Sequence, residues 1–212
     1  MKKIKVGIVD TNTSNIKSVY HALSMHQVDI NYITSNEEKN EIDAMIVPGI
    51  GNFSYVMEKL KQNSLDKLII DKIDRNIPSL FICVGMQILF TKSFEFGEHE
   101  GLNIFDGTVK KIPEKDEEKR KIRSIPNIGW NKIDIIKNDT IFKNIKQNSF
   151  FYFTHSYYVE PSENNIISST SDYLDFKYCS SISEKNIHAT QFHPEKSGKV
   201  GLEIYKNFLN VV

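Results

Sequence analysis

The sequence predicts an α/β protein: a doubly wound sheet, mostly parallel at its centre, with antiparallel strands added in its second half. Three observations predict it. Short apolar runs alternate with amphipathic helical stretches through the first third of the chain. Two of those runs end in a glycine-bearing turn, "PGIGNF", or in a cysteine, "CVGMQ", at strand ends where sheets of this kind build their sites. In the second half, strand-like segments follow one another with short connections.

Each element has a local reason. "IKVGIVD" (4–10) is apolar enough for a buried strand, and "SNIKSVYHALSMHQ" (14–27) sets Ile16, Val19, Ala22 and Leu23 at helical spacing. "DINYIT" (29–34) is a second strand, and "DAMIVPGIGNF" (43–53) a third that breaks at Pro48 into a turn. "SYVMEKLKQN" and "LDKLIIDKIDRN" are helical, and "PSLFICVGMQILF" passes from strand to helix at Cys83. "GTVKKI", "WNKIDII", "SFFYFTHSYYV", "NIISST", "YCSSIS" and "NIHATQFH" are strand-like. "SGKVGLEIYKNFLNVV" closes the chain as a helix with Val200, Ile204, Phe208 and Val211 on one face and Ser197 as N-cap. The run "EKDEEKRKIR" (114–123) is read as a solvated loop without function. With no repeat and no linker, residues 1–212 are read as one domain.

Composition narrows the function classes. Lys+Arg and Asp+Glu number 27 each, so no basic excess points to nucleic acid. The apolar runs are strand-sized, too short to cross a bilayer, and the N-terminus lacks the pattern of a secretory signal. The two cysteines, Cys83 and Cys179, make no disulfide framework. A reducing cytoplasm is the expected compartment, where a free thiol survives as a reagent. No metal and no cofactor is expected.

Three stretches carry candidate chemistry. In "FICVGMQ" a strand-to-helix turn would lift the Cys83 side chain out of the sheet, aim a helix N-terminus at it and leave the Val84 amide free to donate. Read alone, Cys83 is either that nucleophile or an inert buried thiol. In "ATQFHPEKSG" (189–198), His193 and Glu195 would share a side as extended residues at i and i+2, so a carboxylate could orient an imidazole base. The other reading is an exposed histidine beside a surface glutamate. In "VPGIGNF" (47–53), Gly49 and Gly51 either let the backbone approach a ligand or simply make a turn. No Gly-Lys-Ser/Thr follows, which disfavours a phosphate loop. Together the three supply nucleophile, base, orienter and anion cradle, a set that fits acyl transfer from an amide through a thioester.

At these residues the sequence resembles the class I, triad-type glutamine amidotransferases, and within them the glutaminase subunits of imidazole glycerol phosphate synthases. The likeness runs from "VGIVD" to the final helix and is carried by "VPGIGNF", "CVGMQILF", "SFEFGEHEGLNIFDGTV", "IPNIGWN", "YFTHSYYV" and "QFHPEKSG". It implies a flavodoxin-like three-layer sandwich. It implies that Cys83 attacks the carboxamide of L-glutamine, that His193 is the base, and that Glu195 orients it. The resemblance further assigns the oxyanion to the Val84 amide and an amide of the turn Gly49–Ile50–Gly51. Gln87, Ser156 and Tyr157 would hold the glutamine. Asn15, Lys196 and Trp130 would face a partner, although Trp130 is equally well read as a core residue. That partner would be a (β/α)8-barrel cyclase, forming a heterodimer that receives ammonia through a channel and makes imidazole glycerol phosphate and AICAR in histidine biosynthesis.

Three positions depart from the family pattern: Phe81 in place of a glycine before the nucleophile, "DTNTSN" (10–15) without the usual glycines, and Asn127 in place of histidine in "PNIGWN". Two alternatives follow. One is a paralogous glutaminase serving a surface-sugar (lipopolysaccharide or flagellin glycan) amidotransferase; the other is a catalytically silent binding subunit.

Overall fold

The computed structural model describes residues 3–10, 16–36, 41–115 and 122–212. The expected alternation is present in its first half. Strand β1 (Ile4–Val9) leads to helix α1 (Ile16–Ser24), strands β2 (Val28–Ile33) and β3 (Ala44–Gly49), helices α2 (Phe53–Gln62) and α3 (Leu65–Asp74), and strand β4 (Ser79–Cys83). β3 and β4 are buried along their whole length, as expected of apolar strands covered on both faces. β2 lies at the sheet edge, mostly half-exposed. α1 buries Val19, Ala22 and Leu23 as its spacing predicts. α2 starts on Asn52, whose side chain accepts from the Tyr55 amide at 2.8 Å.

The rest of the chain is strand-rich. A one-turn helix α4 (Val84–Gln87) precedes β5 (Phe90–Ser93), β6 (His99–Glu100), β7 (Phe105–Lys111), β8 (Asn127–Ile135), β9 (Phe150–His155) and β10 (Tyr157–Pro161). Then come β11 (Ile167–Tyr173), β12 (Phe176–Glu184), β13 (Ile187–Thr190) and the closing helix α5 (Gly198–Leu209). The main sheet has the order β2-β1-β3-β4-β13-β12-β11-β8-β9. Its first five strands are mutually parallel and the remaining pairings antiparallel. A second sheet runs β10-β7-β5-β6. The β1–α1–β2 and β3–α2–α3–β4 crossovers move in opposite directions along the sheet. Right-handed connections therefore place α1 on one face and α2 with α3 on the other. α5 packs on the α1 side, which completes three layers.

Several expectations are corrected. β3 continues through Pro48 to Gly49. Its pairing with β1 ends at Ile46, so the missing Pro48 amide removes no ladder bond on that side. The helix after Cys83 is four residues long, because Gly85 is a poor helix former and "ILFT" is β-prone. "SFFYFTHSYYV" is two strands: a bend at Ser156 hands the chain from the main sheet to the second one. Val200 and Val211 are half-buried, and α5 instead buries Ile204, Tyr205, Phe208 and Leu209. Ser197 stands at the N-cap position without capping through its side chain. Most of 114–123 lies outside the described residues, but Arg123 is not solvated: its guanidinium is buried, donates to Asp175 at 2.6 Å and to the Pro113 carbonyl at 2.9 Å, and lies over Phe176. Asn15 lies outside the described residues.

The end of β3 and the start of α4 meet backbone to backbone. A Cβ on Gly85 would stand 2.2 Å from the Val47 carbonyl oxygen, and one on Gly49 would stand 2.4 Å from the Gly85 nitrogen. Gly49 therefore lets the turn seat against the cysteine-bearing segment rather than approach a ligand. Phe81 is buried within β4 between Val47 and Ala189, so its bulk is absorbed by the core. Replacing Gly85 by Ala is expected to lower stability by about 3 kcal/mol, read from denaturant midpoints; an unchanged midpoint would contradict the interlock.

Candidate active site

β4 ends on Cys83 with φ +57° and ψ −110°, outside the ordinary regions for an L-residue. Such strain costs about 1–3 kcal/mol and persists only where the surroundings enforce it. Here the Gly49–Gly85 interlock and the buried run 84–90 do so. The sulfur consequently stands at the carboxyl end of the parallel strands, next to the turn after β3. Ile50 and Gly51 of that turn, together with Val84, Gln87 and Glu95, line a cavity of about 50 Å³ beside Cys83. Thr154, His155, Ser156 and Tyr157 close its other side.

His193 reaches the same place from the far end of the chain. It is not the last residue of a strand, as expected, but lies three residues beyond β13 and opens a 3-10 turn, Pro194–Lys196. That turn is bolted to β9. The His193 amide donates to the Tyr152 carbonyl at 2.9 Å; the Ser197 hydroxyl donates to the His193 carbonyl at 2.7 Å and accepts from the Tyr152 amide at 3.0 Å. Phe192 anchors it below, with its ring centroid 4.2 Å from that of Phe151. A Cβ on Gly201 would lie 1.9 Å from the Pro194 carbonyl oxygen, so α5 packs directly on the turn.

Within this frame, His193 Nδ1 donates to Glu195 Oε1 at 2.8 Å, and both side chains are at most 3% exposed. The turn, not an extended i, i+2 geometry, brings them together. A carboxylate on Nδ1 leaves Nε2 to act toward the sulfur. Burial alone would lower the imidazole pKa; the neighbouring Cys83 sulfur and the Glu195 carboxylate outweigh it and raise it to about 10. No hydrogen bond of ordinary geometry yet joins the two catalytic candidates. His193 Nε2 is buried without a partner among the described residues, while Cys83 Sγ lies 3.9 Å from the Thr154 carbonyl oxygen.

The remaining candidates divide. Gln87 donates to the Tyr157 carbonyl at 3.0 Å and to Gln191 Oε1 at 3.1 Å. Ser156 and Tyr157 are half-buried at the cavity wall. Lys196 Nζ lies over the Tyr152 ring, which meets Trp130 edge-on with centroids 6.0 Å apart. Trp130 is 52% exposed, which removes the core reading. Two residues escaped sequence reasoning. Gln191 donates to Cys83 Sγ at 3.5 Å, and Glu95, whose Oε2 accepts from the Phe53 amide at 2.6 Å, puts a carboxyl in the cavity wall. Burial raises the pKa of Glu95 against the opposing Phe53 amide and His99. Both residues lie in stretches quoted for the family likeness, yet nothing local marks either one. Among the described residues no cluster of His, Cys, Asp and Glu could hold a metal ion, and no helix is long and apolar enough to cross a membrane.

Behind the cavity a buried network fixes the wall. His155 Nδ1 lies 2.8 Å from the Tyr157 carbonyl, which only accepts, so Nδ1 carries the proton. Nε2 then accepts at 3.3 Å from Asn127 Nδ2 and from the Tyr178 hydroxyl. Asn127 thus occupies its departing position as a donor to His155, its direct register partner across β8 and β9.

A sequence profile described as "Glutamine amidotransferase class-I" matches residues 7–212, and the chain belongs to that family. The chain is 43% identical over 208 residues to the imidazole glycerol phosphate synthase subunit HisH of Methanocaldococcus jannaschii, covering 98% of this chain and 100% of that one. It is 36% identical over 203 residues to the subunit of the same name from Chlorobaculum tepidum, covering 96% and 98%. Among solved structures, PurLQS from Thermotoga maritima superposes with a TM-score of 0.72 at 17% identity, covering 99% of each chain. A glutamine amidotransferase from Thermotoga maritima gives 0.65 at 16% identity, covering 100% of this chain and 86% of that one. These two similarities establish the fold.

Burial lowers the His155 pKa to about 4, against the Tyr157 carbonyl and with a further push from His193. A depressed imidazole favours the neutral form in the folded state, so its stabilising share is intact above pH 6.5. That share is lost as pH falls from there toward 4, by about 3 kcal/mol in total. Relative to a His155→Gln variant, the parent should lose stability over that interval in pH-dependent denaturant titrations. Parallel stability–pH curves would contradict the assignment.

Proposed function

We propose that this chain is the glutaminase subunit of an imidazole glycerol phosphate synthase, hydrolysing L-glutamine and passing the ammonia to a (β/α)8-barrel cyclase. The observation that carries the reading is the approach of the His193–Glu195 pair to the Cys83 sulfur, which itself borders the cavity, in a chain related end to end to HisH subunits. Residues 1–212 act together as one amidotransferase domain.

The geometry supports the following chemistry. The Cys83 thiol gives its proton to His193 Nε2, and the thiolate attacks the side-chain carbonyl carbon of glutamine. Charge moves to the carbonyl oxygen, where the Val84 amide, first of α4, and an amide of the 49–51 turn receive it. His193 then returns a proton to the departing nitrogen, which leaves as ammonia, and a γ-glutamyl thioester remains on Cys83. Water, deprotonated by His193, attacks the thioester and releases glutamate. Glu195 holds the imidazole in the required tautomer throughout. Gln87 and the Ser156–Tyr157 backbone position the glutamine head, and Glu95 is placed to receive its α-ammonium group.

The cavity beside Cys83 is small, about 50 Å³, and is bordered on one side by Ile50 and Gly51. A shift of the 50–52 turn would widen it for substrate. Gly51 has φ +107°, and a Cβ placed on it would meet nothing within 4 Å, so glycine's conformational freedom and open space coincide at the turn. A partner that stabilises the shifted turn would switch activity on. Its docking face is the outer side of β8 and β9 next to the catalytic turn, where Ile128, Trp130 and Phe150 are exposed beside Lys196. Ammonia released into water would be protonated and lost as a nucleophile, which gives the docking its chemical purpose.

The test is glutamine hydrolysis by the chain alone and with the cyclase and its ligand. Partner-stimulated turnover is expected, and Cys83→Ala should lower it by about 10⁴-fold or more; a Cys83→Ala protein as active as the parent would overturn the mechanism. Trp130→Ala should weaken cyclase binding by about 2 kcal/mol while leaving the fold intact, measured by calorimetric titration. Unaltered affinity would remove β8 and β9 from the interface.

A further inference from the structure

We infer that Gln191 is a further catalytic residue, its side-chain amide donating to the Cys83 sulfur and favouring the ionised nucleophile, with Gln87 as the positioning residue that fixes which way that amide faces. The inference rests on the reading of Cys83 as nucleophile.

The sulfur has two polar neighbours besides the imidazole. Gln191 Nε2 stands 3.5 Å away and the Thr154 carbonyl oxygen 3.9 Å away. They act in opposite senses. A carbonyl accepts from a thiol and repels a thiolate, whereas an amide N–H gains most when its acceptor is charged. Gln191 is completely buried, so the thiolate has no solvent on that side to take the amide's place.

An amide can present either its NH₂ or its oxygen to the sulfur, and the surrounding chain settles which. The Tyr157 carbonyl can only accept, so the side chain of Gln87 turns its NH₂ toward it, at 3.0 Å. The same NH₂ donates to Gln191 Oε1 at 3.1 Å. Reversing Gln191 would set two NH₂ groups against each other and point an oxygen at the sulfur. A main-chain carbonyl thus sets the orientation through two amides. The backbone of Gln191 is fixed as well, its amide donating to the Ser180 carbonyl at 2.9 Å. Because Gln191 and His193 are two residues apart on one segment, the same stretch supplies the proton acceptor and the thiolate donor. Gln87 accordingly has a role before any substrate arrives.

The experiment is alkylation of Cys83 by iodoacetamide without glutamine, in the chain alone and in its complex with the cyclase and its ligand, followed by peptide mass spectrometry to separate Cys83 from Cys179, both of them buried. Rates are compared for parent, Gln191→Leu, Gln191→Met and Gln87→Leu. Both Gln191 variants should react about tenfold more slowly than the parent near neutral pH, and the gap should close in alkali where every thiol is ionised. Gln87→Leu should show a smaller deficit, because its Gln191 amide is free to reverse. Equal rates in parent and both Gln191 variants, or a deficit that stays constant with pH, overturn this inference alone. A parent whose Cys83 resists alkylation even in the complex overturns the nucleophile reading along with it.

Discussion

The site depends on how the turn 193–197 is fastened to β9. Three hydrogen bonds, all between buried or half-buried groups, tie His193 and Ser197 to the backbone of Tyr152 and to each other. Ser197 commits its hydroxyl to this clamp instead of capping α5. The clamp holds the imidazole against a sulfur more than a hundred positions earlier in the chain. Without it, a buried histidine and a nearly buried glutamate would face a low-dielectric interior unsupported, and desolvation would drive the imidazole neutral. With it, the neighbouring sulfur and carboxylate outweigh burial. The added antiparallel strands thus act as the brace that carries His193, the proposed base, toward Cys83, the proposed nucleophile.

The second constraint is the contact between the β3 turn and the elbow. Gly49 and Gly85 bring two backbones closer than any side chain would permit, and Cys83 is held in its strained conformation as a result. The turn beyond Gly49 is looser. Gly51 faces open space at positive φ and borders the small cavity beside Cys83. A rigidly held Cys83 next to a glycine turn with open space is the arrangement that the proposed partner-gated glutaminase would need. The proposed gate lies beside the exposed aromatic face of β8 and β9, so one docking event can reach both.

Much of this was legible in the sequence, for identifiable reasons. The βαβ alternation follows from periodicity, and Cys83, His193 and Glu195 stand out because each is a reactive type near a strand end. The geometry that unites them was not legible. His193 and Glu195 meet through a 3-10 turn begun by Pro194, although the i, i+2 spacing suggested an extended pair. The helix after Cys83 stops at one turn because β-prone residues follow. Gln191 and Glu95 matter only through partners 108 and 42 residues distant, Cys83 and Phe53 respectively. Arg123 looked solvated inside a charged run, and its burial depends on Phe176 and Asp175 across a hairpin. Local patterns report local chemistry; these roles arise from contacts between distant segments.

The most direct test of the central claim is the protonation of one imidazole. Nitrogen-15 NMR of the histidine rings, followed through a pH titration, reports the state of His193 Nδ1 and Nε2 separately. The account predicts that His193 keeps both ring protons well above its ordinary pKa of 6.5, titrating near 10 in the parent, and that removing the sulfur in Cys83→Ala brings the transition down. A His193 that titrates at its ordinary value, with or without the Cys83 sulfur, would mean that thiol and imidazole do not form the coupled pair on which the described site rests.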